Sequence, residues 1–201
     1  LHLCHHNLES IQTNNYNSSN AKHDLLAEVC MAAYYEGDSI KTHYPKHEQT
    51  NNDSASQLCT VLARSFADIG DIVRGIDMFL GNKKENKQRQ QLDDKLKDIF
   101  GKIHSEVTNG RNGELQTRYQ KDGDNYYKLR EDWWTANRAT VWKAMTCSDE
   151  LTGASYFRAT CNGGKRTEGY CRCGDGKNAG KANDNVNIVP TYFDYVPQYL
   201  R

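Results

Sequence analysis

The sequence is short of several things at once. It carries no net charge, because 26 basic side chains are balanced by 26 acidic ones. That excludes a surface built throughout for nucleic acid, while leaving local basic patches open. It holds no apolar run near the roughly 18–20 residues that a membrane-spanning helix needs. No leader pattern is read at the start, where LHLCHHNLES turns polar after three residues. Hydrophobic residues make up only 37% of 201 and the mean hydropathy is −0.88, so a lean core in one domain, or two small ones, is expected. There is no internal repeat, and no Ser/His/Asp or paired-carboxylate constellation supports an enzyme. With no initiator Met and a stop at VPQYLR, inside an aromatic, helix-like segment, both ends are expected to be cuts through a longer protein.

What the chain has is cysteine. The seven are Cys4, Cys30, Cys59, Cys147, Cys161, Cys171 and Cys173. In an oxidising compartment this density reads as a disulfide framework, in a reducing one as metal sites. An odd number leaves at least one without a partner in the chain. Cys4, His5 and His6 with the Cys171-x-Cys173 pair suggest zinc, but structural zinc sites favour wider Cys pairs, and the other cysteines are scattered singly. Disulfides are the better reading, with connectivity open and no metal or cofactor expected. CGDGKNAGKA (173–182) mimics a phosphate loop only loosely. Asp175 stands where the first Gly belongs and Ala182 where Ser or Thr belongs, so it reads as a flexible loop.

Hydrophobic periodicity predicts helices. Asn20 caps a first helix with Leu25, Leu26, Val29, Cys30 and Ala33 inward, ending at Gly37. The polar stretch HYPKHEQTNNDSASQ reads as a loop. A second helix starts near Ser54 or Ser56 and ends near Gly81, with Leu58, Leu62, Phe66, Ile69, Val73, Ile76 and Leu80 on one stripe. Its other side carries Arg64, Asp68, Asp71 and Arg74. NKKENKQRQ reads as a charged connection to a third helix striped by Leu92, Leu96, Ile99, Ile103 and Val107. A fourth holds Leu129, Trp133, Ala136, Val141 and Met145 inward. Trp133 and Trp142, nine residues apart, face opposite ways, so this helix is expected to be buried on two sides, with Asn137 and Arg138 making polar contacts. From Ser148 to Asn187 the chain is loop-like, and Pro197 suits the first turn of a new helix. The fold class is mainly α, an irregular helical domain with long disulfide-tethered loops.

Two cation groups interrupt the balance. Lys83, Lys84, Lys87 and Arg89 have only Glu85 among them. Lys165, Arg166, Arg172, Lys177 and Lys181 are diluted by Glu168 and Asp175. Each is either a solvated loop or a patch for a polyanion such as a sulfated glycan, whose grip salt weakens. Sequons at Asn17 and Asn52 mark exposed positions.

Five segments in order carry a resemblance: ARSFADIGDIVRG (63–75), DWWTANRATVWKAMTC (132–147), YFRATC (156–161), GYCRC (169–173) and VPTYFDYVPQYLR (189–201). They closely resemble the Duffy-binding-like domain, in its alpha class, of the variant erythrocyte membrane proteins of the malaria parasite Plasmodium falciparum. LHLCHHNLESI and LLAEVCMAAYYEG fit the same class. The resemblance spans residues 1–201 and implies a partial domain, its N-terminal and middle subdomains, truncated before the C-terminal helices. It implies an adhesion module without cofactor on the infected red-cell surface, membrane-bound only through an anchor elsewhere in its parent. The implied partners are host red-cell receptors, including heparan sulfate and blood-group sugars in rosetting, and host antibodies. It also implies that the second helix is scaffold, with Gly70 and Gly75 admitting another backbone. The competing expectation is a cytosolic helical zinc-binding scaffold.

Overall fold

The computed structural model describes residue 8 and residues 20–51, 55–78, 81–109, 113–161, 164–167, 169–174 and 188–201, with backbone alone for 44–51 and 55–56. Cys4, His5, His6, Leu80, Lys177, Lys181 and the sequon residues Asn17 and Asn52 fall outside what is described.

Five α-helices occur among the described residues: α1 (Ala21–Asn51), α2 (Ala55–Arg74), α3 (Lys83–Asn109), α4 (Gly113–Tyr119) and α5 (Tyr127–Met145). Short 3₁₀ turns follow at Asp149–Leu151, Phe193–Tyr195 and Gln198–Leu200. The mainly helical expectation holds. The only β-type pairing among the described residues is two isolated bridges, Cys161 with Lys165 and Gly169 with Arg172.

The apolar stripes explain the packing. Leu62, Phe66, Ile69 and Val73 of α2 and Leu92, Leu96, Ile99 and Ile103 of α3 are all buried. Between them lies α5, which packs on α1, α2 and α3. Its tryptophans do divide the work: Trp133 meets Phe100 of α3 at 6.1 Å between ring centroids, while Trp134 and Trp142 each meet Phe66 of α2 at 5.1 Å. Such offset and edge-on pairs add to the area they bury. Trp134, not the exposed Ala136, completes the inward set. Asn137 reaches only Trp133 O in its own helix, whereas Arg138 crosses to the segment near Asp194.

Three helix limits differ from the sequence reading. Gly37 does not end α1, which runs on through the polar stretch to Asn51. Gly37 instead marks where α1 crosses the end of α5, and a Cβ there would collide with the Met145 carbonyl. The helix α2 stops at Arg74, where Gly75 takes a φ of +73°, a conformation glycine adopts without cost. Ile76 is consequently outside the stripe and exposed. The charged NKKENKQRQ stretch is not a connection but the first turns of α3.

One disulfide ties the loop after α5 to the body and a second closes that loop on itself. Cys59 of α2 bonds Cys171, 112 residues away, and Cys161 bonds Cys173. This consumes the Cys171-x-Cys173 pair and removes it as a zinc knuckle. Cys30 and Cys147 are free thiols, and burial pushes the Cys30 thiol up to about 11.

Candidate functional site

The first cation group stands on a well-built helix start. The Asn82 carboxamide accepts from Lys84 N and Glu85 N at 3.0 Å each, and Glu85 Oε2 accepts from Asn82 N at 3.0 Å. This is a capping box with Asn in the first place. It fixes the turn from which Lys83, Lys84 and Lys87 project, all exposed. Positive charge at a helix N-terminus opposes the helix dipole, typically by about 0.3–1 kcal/mol per group. The turn is therefore a concentration of positive potential that an anion relieves. Arg89 does not share it: it is half-buried and paired with Asp77, just past the end of α2. Together these two residues line a cavity of about 340 Å³ with Ile72, Gly75, Asn86, Leu92 and Asp93.

The second group is split by the fold. Lys165 and Arg166 are exposed. Arg172, expected beside them, is fully buried. Its Nε donates to Thr146 Oγ1 at 2.7 Å and its Nη2 to Lys143 O at 2.8 Å. A cation set against the last carbonyls of α5 complements the helix dipole, so Arg172 is a C-terminal cap and cannot meet a ligand. Nor do the two groups merge. The cysteine loop is fastened at Cys59, near the start of α2, and Arg89 at Asp77, beyond its end. The helix α2 alone rises about 22 Å from Cys59 to Arg74, and Asp77 lies beyond that end.

The polar side of α2 turns inward only towards its end: Arg64 is exposed and Asp68 half-buried, while Asp71 and Arg74 are buried. Asp71 and Arg74 pair at 2.9 Å with side chains 4% exposed. Arg74 also reaches Glu131 at 3.3 Å and donates to the Asp194 carbonyl. The buried Asp194 carboxylate accepts from Trp134 Nε1 at 2.9 Å and from Arg138 Nε and Nη2 at 2.7 and 2.8 Å. Arg130, fully buried, donates to Val73 O and Ile72 O and pairs with Asp93 at 3.0 Å. Burial holds its pKa below the usual arginine value. This lattice is scaffold. Gly70 and Gly75 admit side chains rather than a backbone: the Trp134 indole and the Arg130 guanidinium.

The sequence reading missed an aromatic rim. Tyr192, Tyr195 and Tyr199 are exposed, and the Arg138 guanidinium stacks near the first two. The spacing of tyrosines in VPTYFDYVPQYLR was the available signal.

The Duffy binding domain family model matches residues 1–201, and the chain belongs to that family. The chain is similar to the NTS-DBL1(alpha-1) domain of Plasmodium falciparum membrane protein 1 from the varO strain. Identity is 40% over 99% of this chain and 40% of that one, with a TM-score of 0.70. It is also similar to the varO NTS-DBL1-alpha and CIDR-gamma double domain, 40% identical over 99% of this chain and 25% of that one, with a TM-score of 0.72. The ICAM-1-binding PfEMP1 IT4var13 DBLbeta domain is 30% identical over 100% of this chain and 39% of that one, with a TM-score of 0.68. The chain thus spans about two fifths or less of the solved chains it matches. A search of curated proteins found no match.

Proposed function

We propose that the chain is part of an extracellular adhesion module of a parasite variant surface antigen, displayed on the infected erythrocyte and binding host red-cell receptors through sulfated glycans. A related domain is described as ICAM-1-binding, which supports receptor binding as the general task; no catalytic step is part of this reading. The observation that carries the glycan assignment is the capped start of α3, where Lys83, Lys84 and Lys87 face solvent on a rigid turn. Lys165 and Arg166 form the second contact, with Lys177 on the same loop in sequence. Arg89, paired with Asp77, and Arg172, buried under the end of α5, are both withdrawn from it. Exposure of these loops and turns also makes them the surface that host antibodies meet.

The test is elution from immobilised heparin in a salt gradient. Exposed contacts are worth no more than about 1 kcal/mol each, so single changes are nearly silent. Lys83→Gln, Lys84→Gln and Lys87→Gln together lower affinity by roughly one to two orders of magnitude, and the loss shrinks as salt screens the charges. A Lys165→Gln/Arg166→Gln variant reports the second group separately. If both variants elute with the wild type, these residues are not the site.

A further inference from the structure

Three arginines stand apart from the rest. Every other described arginine donates to a carboxylate, a hydroxyl or a carbonyl of this chain. Arg64, Arg158 and Arg166 are exposed and make no hydrogen bond or ion pair among the described residues. Asp68, one helical turn beyond Arg64 on α2, turns to Arg201 instead. The fold gathers these three around Tyr156. The Cys59–Cys171 bond holds the cysteine loop to α2, and Cys171 N donates to Ala154 O at 3.0 Å, which carries residues 154–158 close to that helix. Tyr156 N donates to Thr167 Oγ1 at 2.7 Å and Cys161 pairs with Lys165, so Arg158 lies on one arm of a hairpin and Arg166 on the other. Burial raises the Tyr156 phenol above its ordinary value, while its bond to Thr191 and the charges of Arg158 and Arg64 act the other way. Both guanidiniums are thus within electrostatic reach of one phenol, although one belongs to α2 and the other to the loop. The Arg158 guanidinium also lies 5.2 Å from the centroid of the exposed Phe157 ring. Covering one face of a guanidinium steadies it and leaves its in-plane donors free.

We propose that Arg64, Arg158 and Arg166 form a binding site for a tetrahedral monoester oxyanion, a sulfate or a phosphate carried on a sugar. Like charges gathered without a counter-ion repel one another, and a bound anion relieves that repulsion. Guanidinium forks match oxyanions bidentately. A carboxylate has two oxygens, and one fork satisfies it. A sulfate or phosphate monoester has three terminal oxygens, one for each arginine. The exposed lysines at the start of α3 offer charge as mobile points, whereas this cluster offers planar donors from two elements fastened together by a disulfide. The site shares only Arg166 with the glycan contacts proposed above and does not rest on them.

Calorimetric titration of the chain with O-sulfated galactose, O-phosphorylated galactose and galacturonate at fixed ionic strength tests this. At least one monoester binds about tenfold more tightly than galacturonate. The tighter of the two identifies the source, and equal affinity for both supports the shared chemistry. Arg64→Gln, Arg158→Gln and Arg166→Gln each weaken binding by about fivefold. Arg158→Lys keeps the charge but loses the fork, and weakens it nearly as far. The three side chains are exposed and unpaired among the described residues, so each variant melts with the wild type, which is measured alongside. Should a variant not fold, protection of these arginines from phenylglyoxal by the monoester in the wild-type chain decides instead. Equal affinity for galacturonate, no binding of either monoester, or wild-type affinity in Arg64→Gln and Arg158→Gln overturns the proposal. The variant carrying Lys83→Gln, Lys84→Gln and Lys87→Gln binds the monoester as the wild type does, whatever its retention on heparin, so the two assignments are tested apart.

Discussion

The Trp134 indole occupies the space a side chain at position 70 would need: a Cβ on Gly70 would lie 2.8 Å from Cζ2 and 2.9 Å from Cε2. Two helices, α2 and α5, are therefore seated against each other at a point where one contributes no side chain. Trp134 cannot retreat, because its Nε1 is bound to the Asp194 carboxylate. Gly70→Ala lowers stability by about 1–3 kcal/mol through overpacking, despite improving helix propensity. Gly123→Ala, where an added Cβ meets nothing within 4 Å, is the control and leaves the melting temperature near that of wild type.

Asp194 is the second sensitive point. Its buried carboxylate serves Trp134 and two donors of Arg138. Removing it leaves a guanidinium without its ion partner, a change that costs about 3–5 kcal/mol in buried pairs. Asp194→Ala measured by urea unfolding should therefore exceed Asp132→Ala. Asp132 pairs with Arg118 on the surface, where solvent screens the interaction.

The two disulfides differ in what they close. Cys59–Cys171 spans 112 residues and Cys161–Cys173 spans 12. Loop-closure entropy grows slowly with length, so losing the long bridge costs more, roughly 4–5 kcal/mol against about 3. Paired serine variants, compared by thermal unfolding, check the order. Under native, non-reducing conditions iodoacetamide at pH 8 modifies the exposed Cys147. It spares Cys30, whose thiol burial raises to about 11. Peptide mapping distinguishes the two.

Lys41 gives a pH signature. It is buried on α1, and that burial lowers its pKa, with Asp38 and Glu150 partly opposing the shift and Arg172 adding to it. Below its lowered folded value the lysine is charged in the folded and the unfolded chain alike, and the burial penalty is felt in full. As pH rises from the lowered folded value towards the unfolded 10.5, the unfolded chain holds the extra proton, so stability climbs. Lys41→Met consequently raises the melting temperature below that folded value. The gain shrinks as pH approaches 10.5.

How much of this was legible follows from what each signal measures. The stripes of α2 and α3 were plain, because burial on one face writes itself into every third or fourth residue. The continuation of α1 past Gly37 was not: glycine reads locally as a stop, and the reason for it is a backbone on another helix. The start of α3 was hidden by its lysines, although Asn82 and Glu85 at capping-box spacing announced it. Arg172 could not be placed from sequence. An arginine among glycines and cysteines looks solvated, and only the path of two disulfides carries it under the end of α5. The family segments located the scaffold well, but the division of the cations between surface and interior needed coordinates.

On the proposed glycan reading, the length of α2 between the two cation groups has a consequence for ligand size. Two weak grips joined by a rigid spacer respond to a polymer as a gauge does. An oligosaccharide shorter than the roughly 22 Å that α2 rises from Cys59 to Arg74 occupies one end and gains nothing from the other. A longer chain makes its second contact as an intramolecular event at high effective concentration. Affinity as a function of glycan length should then show a threshold rather than a gradual rise, set by the number of residues in α2.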